Sequence, residues 1–202
     1  MRRILIVLIL LLALLLIFIS AQFAPKTSSI LLGEKVEELS CLKDSDGNCL
    51  IMPSVSGINL DNETLNLPED FTHDYYLVVM PFDREQQVVA ITWLPIFREL
   101  AAEHDKVYFF NIAALPNLNP AIRLLVMGGM SSTVHDDEIR QQIAVLFLDE
   151  QAAFLDALAI PDDSAIQIFV MDRQAVVFYR DSGEYTPEKG QSLQDFIANL
   201  QV

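Results

Sequence analysis

The sequence predicts an α/β architecture: a mixed sheet flanked by helices, set behind an apolar N-terminal segment. Three observations carry this reading. From Tyr75 onward, short runs rich in Val, Ile, Leu and Phe alternate with longer stretches of helical periodicity. The last two short runs are separated only by Asp172-Arg173-Gln174, which joins them as an antiparallel hairpin. The apolar content, 52% of 202 residues, is concentrated in one N-terminal block and leaves an ordinary globular mixture behind it.

Ile4 to Ile19 is an unbroken apolar run, followed by Ser20-Ala21-Gln22-Phe23-Ala24-Pro25. A helix across hydrocarbon takes about 20 apolar residues, whereas the apolar part of a cleaved signal takes about 7–15. With Ser20 to Ala24 tolerated, the run fits an anchor through residues 4–21 better than a cleaved signal. Ile19 is also bulky where a cleavage site takes a small residue. Arg2 and Arg3 stay in the cytoplasm by the positive-inside rule, so everything after Pro25 lies outside it. Anchor and signal both export the domain. The chain then divides into an anchor or signal segment at 1–24, a stalk at 25–56 and a folded domain at 57–202.

The stalk holds the only two cysteines, Cys41 and Cys49, flanking the turn-forming stretch Lys43-Asp44-Ser45-Asp46-Gly47-Asn48. In an oxidising compartment a local disulfide is the ordinary expectation, with two free thiols or a redox pair as the alternatives. The Asp and Asn spacing does not make a calcium loop. Gly47 is misplaced for one, and Val55 stands where the bidentate Glu belongs.

Beyond the stalk, Tyr75 to Met80 is a short buried strand, and Gln86 to His104 reads as one helix kinked at Pro95. Lys106 to Ile112 is a second strand. Pro120 to Met127 is a helix stopping at Gly128-Gly129. Ile143 to Leu148 is a third strand, and Asp149 is placed to cap the short helix after it. Ile166 to Met171 and Ala175 to Tyr179 form the hairpin. Ser192 caps a closing helix that ends near Leu200.

This order resembles the thioredoxin-like fold, in particular its exported thiol-disulfide and peroxiredoxin branches. The matching signature is a strand ending in Asp and leading into a turn, here Ile168-Phe169-Val170-Met171-Asp172-Arg173-Gln174-Ala175, with Ala175 where the family usually has Gly. The likeness spans roughly Pro53 to Leu200. It implies a Cys-x-x-Cys at the start of the first long helix, where the helix terminus activates the attacking thiol. The family also has a proline in that helix five residues after the second Cys, which Pro95 matches. Counting back from it puts Gln87-Val88-Val89-Ala90 at the motif, with no thiol. The family's cis-proline position holds Ile166. The resemblance therefore implies a shape kept and that reaction lost.

A narrower resemblance is to bacterial exported proteins of this fold that carry Arg-Glu-Gln-Gln in place of the cysteine motif. Here that stretch is Arg84-Glu85-Gln86-Gln87, with Trp93-Leu94-Pro95 on the helix, and Arg123 and Gly128-Gly129-Met130 further on. These proteins look similar to the thioredoxin-like assembly factors of the mitochondrial ATP synthase, which are not thought to act as redox enzymes.

Arg84, Glu85, Gln86 and Gln87 fall where a strand ends and a helix begins, the usual place for ligand sites in open α/β sheets. Arg84 brings a fork of donors suited to a carboxylate, and Glu85 suits the positive end of a helix. Trp93, the only Trp, is expected in the core. His135, Asp136, Asp137 and Glu138 are adjacent and cannot all face one ion, so they read as a solvated loop. Gly128-Gly129 lacks the Lys and spacing of a phosphate loop, and Ser131 and Ser132 lack a nucleophile-elbow context. No cofactor and no metal site is expected.

Charge narrows the partners. The chain has 28 acidic and 13 basic residues, and Arg2 and Arg3 are two of the 13, leaving the exported part more acidic still. That balance opposes binding to nucleic acid or to anionic lipid headgroups through the folded part. The expected function is a membrane-anchored, redox-inactive thioredoxin-like domain outside the cytoplasm that binds a protein partner in assembly or folding. The alternatives are a thiol-disulfide oxidoreductase using Cys41 and Cys49, and a small-molecule or peptide binder at the turn around Arg84.

Overall fold

The computed structural model describes residues 39–200. The apolar run expected to anchor the chain lies outside them. Among the described residues no helix is long and apolar enough to cross a membrane.

Seven strands form one sheet: β1 (Val55–Asn59), β2 (Thr64–Leu67), β3 (Tyr75–Met80), β4 (Val107–Pro116), β5 (Ile143–Leu148), β6 (Gln167–Asp172) and β7 (Val177–Ser182). Their spatial order is β2-β1-β5-β4-β3-β6-β7. The central strands β3, β4 and β5 run parallel, with β1 antiparallel on one side and the β6–β7 hairpin antiparallel on the other. The helices are α1 (Gln86–Ile91), α2 (Leu94–Glu103), α3 (Pro120–Thr133), α4 (Asp137–Gln141), α5 (Gln151–Ala157) and α6 (Pro187–Ala198).

The central strands are covered on both faces, which is why they read as continuous apolar runs rather than as alternating ones. Tyr76, Val78 and Met80 of β3 join Phe110 and Ile112 of β4 on one face, under Phe154 of α5 and under Leu50 and Met52, which precede β1. Leu77 and Val79 point to the other face, under Ala90, Trp93 and Phe97 and under Leu193 and Ile197 of α6. Met127 of α3 closes a third cluster over Val145 and Ala113.

Several boundaries differ from the expected ones, each for a local reason. The stretch 86–104 is two helices, because Thr92 and Trp93 turn between them and Pro95 takes the second position of α2, where it needs no amide partner. Helix α3 does not stop at Gly128-Gly129 but continues to Thr133. Both glycines are exposed and cost only about 1 kcal/mol each in propensity, while Met127 and Met130 on either side are packed down. The expected loop at 135–138 contains a cap. Asp136 accepts from the amides of Glu138 and Ile139 and starts α4. Asp149 does not cap α5, whose cap position is Glu150; its carboxylate instead takes the Asn117 amide. Helix α6 begins at Pro187 behind Thr186, whose hydroxyl accepts from Lys189 N at 3.3 Å, so Ser192 lies inside it.

Of the segment read as a stalk, residues 39–54 lie against the sheet and β1 begins at Val55. Leu42 N donates to Val177 O at 2.8 Å, Val177 N to Leu50 O at 2.9 Å and Met52 N to Ala175 O at 3.0 Å. The cysteine-bearing hairpin is thereby added to the start of β7.

Candidate functional site

Two places carry the residues singled out from the sequence, and they lie at opposite poles. The sheet register fixes this. Met80, at the end of β3 that leads into α1, pairs with Gln167, whereas Tyr75 at the other end pairs with Asp172. The cysteine hairpin docks on Ala175–Val177, beside Asp172. The six residues of β3 separate the two poles by about 17 Å along the strand.

At the first pole the chain turns through Phe82–Glu85 into α1. Gln86 is buried, and its side chain is a tie rather than a solvated surface group. Its Oε1 accepts from Phe82 N at 2.9 Å and its Nε2 donates to Asp163 O at 2.7 Å, while its own amide donates to Asp83 Oδ1 at 2.7 Å. Gln87 accepts from Asn111 Nδ2 at 3.3 Å, and the buried Asn111 Oδ1 has no hydrogen-bond partner among the described residues. Arg84 and Glu85 are exposed, and Arg84 is in none of the ion pairs of the described residues. Val88 and Ile91 beside them are 72% and 58% exposed. The structure thus divides the expected quartet: Gln86 and Gln87 build the turn, and Arg84 and Glu85 face solvent. Asn111 was missed; its signal was a lone amide within the apolar run Val107 to Leu115.

Replacing Gln86 by Leu leaves the Phe82 amide buried without an acceptor. A loss of about 1–3 kcal/mol is expected, read by denaturant unfolding, with hydrogen exchange quickening first in residues 82–87.

Trp93 is fully buried, as expected, and donates from Nε1 to Gly183 O at 2.9 Å. Arg123 donates from Nε to Leu118 O at 2.8 Å, bonds Asn117 Oδ1 and lies 4.7 Å from the centre of the Phe147 ring. It is a local brace for the start of α3.

At the second pole, Cys41 and Cys49 form a disulfide with their Cα atoms 5.5 Å apart, which agrees with the expected local bridge. The turn between the two cysteines also has hydrogen bonds of its own. Asp44 Oδ1 accepts from Asp46 N at 2.9 Å and from Asn48 N at 2.8 Å, and Gly47 takes φ +86° to close the turn. The Asn48 amide above all holds the Asp44 carboxyl below its ordinary value. Lys43 and Cys49 are paired across the two arms, and Lys43 Nζ lies 3.4 Å from Cys49 Sγ. Both cysteines are half-buried.

Near this pole is an open cleft of about 390 Å³, lined by Tyr75, Lys106, Asp172 and Arg173. Arg173 pairs with Asp74 at 3.1 Å. Burial first, then the charges of Asp172 and Asp74, push the Tyr75 phenol up from 10.0. A raised phenol stabilises the fold fully below its unfolded value, and that increment is lost as pH rises through the folded value. Burial raises the Tyr179 phenol as well, so Tyr75→Phe is expected to remove one of two late-titrating phenols and to soften alkaline unfolding. Among the described residues no group of three or more His, Cys, Asp or Glu is gathered to hold a metal ion.

The topology is that of the thioredoxin-like fold, an α/β mixed sheet flanked by helices. No protein-family model and no curated protein matches the chain. Solved structures match it by shape. A thiol:disulfide interchange protein from Bacteroides sp. aligns with TM-score 0.51 at 12% identity, covering 75% of this chain and 91% of that one. BsSco, a member of the Sco family of cytochrome c oxidase assembly proteins, aligns at 0.52 and 10% identity, covering 78% and 96%. ScoI from Arabidopsis thaliana, solved with copper bound, aligns at 0.50 and 11%, covering 75% and 98%. At such identities the likeness establishes the fold alone.

Proposed function

We propose that this chain is a thioredoxin-like protein, held to a membrane by residues 4–21 and facing away from the cytoplasm, whose thiol-disulfide chemistry resides at Cys41 and Cys49. The observation that carries it is the half-buried Cys41–Cys49 bridge on a hairpin whose register is set by β7 and by Asp44. Backbone bonding keeps the two thiols together when the bridge opens, which favours reclosure over diffusion apart. Thiol-disulfide neighbours of the same fold support this over the inert reading, as does the disulfide switch named for BsSco. The family position at the start of the first helix contributes no thiol, so the chemistry sits at the other pole of the same scaffold.

The test is thiol titration and catalysed reduction of a protein disulfide by the full chain in detergent. Turnover falling to background in Cys41→Ser is the expected result. A bridge inert to dithiols, or turnover unchanged in Cys41→Ser, overturns it. Protease accessibility of the domain from outside intact spheroplasts checks the orientation.

A second reading, binding of a protein partner or a peptide at the turn around Arg84, is favoured by Val88 and Ile91, which lie exposed on α1 beside Arg84 and Glu85. A photo-crosslinker at Val88 is then expected to give one discrete adduct that Arg84→Ala weakens. Diffuse labelling indifferent to Arg84 removes this reading.

A further inference from the structure

We propose that Lys43 decides which sulfur of the bridge is attacked, making Cys41 the electrophilic sulfur and Cys49 the leaving thiolate. This rests on the thiol-disulfide reading above. Lys43 and Cys49 are direct partners across the two arms of the hairpin, so their side chains emerge on one face. Lys43 Nζ lies 3.4 Å from Cys49 Sγ. Cys41 lies two positions before Lys43 on the same arm, diagonal to Cys49. None of the three ion pairs of the described residues includes Lys43. The nearest acid in sequence, Asp44, turns its carboxylate into the loop, where the Asp46 and Asn48 amides and the Asn48 side chain hold it. The ammonium is therefore left to the sulfur.

Exchange proceeds by attack of an external thiolate on one sulfur while the other departs with the bonding electron pair. Attack on Cys41 Sγ forms the mixed disulfide there, breaks the Cys41–Cys49 bond and places the new negative charge on Cys49, beside Lys43. Attack on Cys49 would leave that charge on Cys41, two residues from the ammonium. A second thiolate of the same substrate then attacks the substrate sulfur of the mixed disulfide and releases Cys41. The external dithiol becomes a disulfide, and the bridge becomes two thiols once protonated. Two electrons pass and every sulfur is accounted for.

An exposed ion pair changes such a partition only modestly, by about two- to fivefold, and salt screens it. The test uses glutathione as the external thiol on the oxidised full chain, with rapid acid quench, alkylation and peptide mapping. Mixed disulfide on Cys41 is expected to exceed that on Cys49 by about two- to fivefold. The excess should persist in Lys43→Arg and shrink towards parity in Lys43→Met and at about 1 M salt. As a second measurement, single-cysteine variants separate the thiols. Cys49, present alone in Cys41→Ser, is expected to alkylate at lower pH than Cys41, present alone in Cys49→Ser, and only while Lys43 is present. Equal partition, or a preference that Lys43→Met and salt leave untouched, overturns the inference while continued turnover leaves the redox reading standing. No adduct at either sulfur overturns the redox reading, and the inference with it.

Discussion

Trp93→Ala is expected to lower the stability of the domain by about 3–5 kcal/mol, the range for emptying a large aromatic site in a core. The indole occupies the break between α1 and α2 and is fully buried. Its ring lies 5.4 Å from that of Tyr185, edge to face, and 6.0 Å from Phe97. Its Nε1 also closes a hydrogen bond to the O of half-buried Gly183, so truncation removes packing and takes a donor from that carbonyl. Relaxation into the hole is restricted. Tyr185 is backed by Gly190, where even a Cβ would come within 2.6 Å of the phenol oxygen, so the ring sits tightly on α6. Chemical denaturation followed by far-ultraviolet circular dichroism measures the loss. Trp93→Phe, which keeps most of the volume, should cost clearly less; equal losses would mean that the hydrogen bond, not the packing, dominates.

How far the fold was legible follows from where the information lay. Strands β3 to β6 announced themselves because burial on both faces favours nearly continuous apolar runs, broken by the buried amides Asn111 and Gln167. Strands β1 and β2 did not. Their burial is mixed, and Gly57 breaks the pattern of β1. The reason for that glycine is a neighbour far along the chain: a Cβ there would lie 2.5 Å from Leu146 Cδ2 and 3.0 Å from Val145 O. The start of α6 was encoded locally in Thr186-Pro187, a cap followed by proline, but its apolar face begins only at Leu193, and periodicity drew the boundary too late.

The candidate site divides in the same way. The bridge was predictable because Cys41 and Cys49 are close in sequence and have no other thiol to meet. That Gln86 turns inward was not, because the carbonyl it serves belongs to Asp163, 77 residues later. Nor did sequence place the cysteines relative to Arg84. Only the antiparallel return of β6 beside β3 shows that the hairpin and the turn occupy opposite ends of the sheet. The cysteine hairpin and the turn around Arg84 thus have separate supports at opposite ends of one thioredoxin-like sheet.

Opening the Cys41–Cys49 bridge is expected to destabilise the domain by about 2–3 kcal/mol, the loop-closure value for a ring this small, without unfolding it. For a domain of this size that corresponds to a fall in Tm of about 5–10 °C. The effect acts on the unfolded chain, which gains freedom when the ring opens, whereas the folded hairpin keeps its backbone bonds to β7 and the Asp44 turn. Leu50 and Met52 also remain in the core cluster beneath α5. Reduced wild type and the Cys41→Ser, Cys49→Ser double variant should therefore show the same Tm, near-native circular dichroism, and unchanged amide protection in β3 and β4. The comparison bears directly on function. A dithiol carrier has to survive in both oxidation states, so a domain that reduces and stays folded is the one the proposed chemistry requires. A domain that collapses on reduction would make the bridge a staple for the start of β7, and the turn around Arg84 would then be the functional surface.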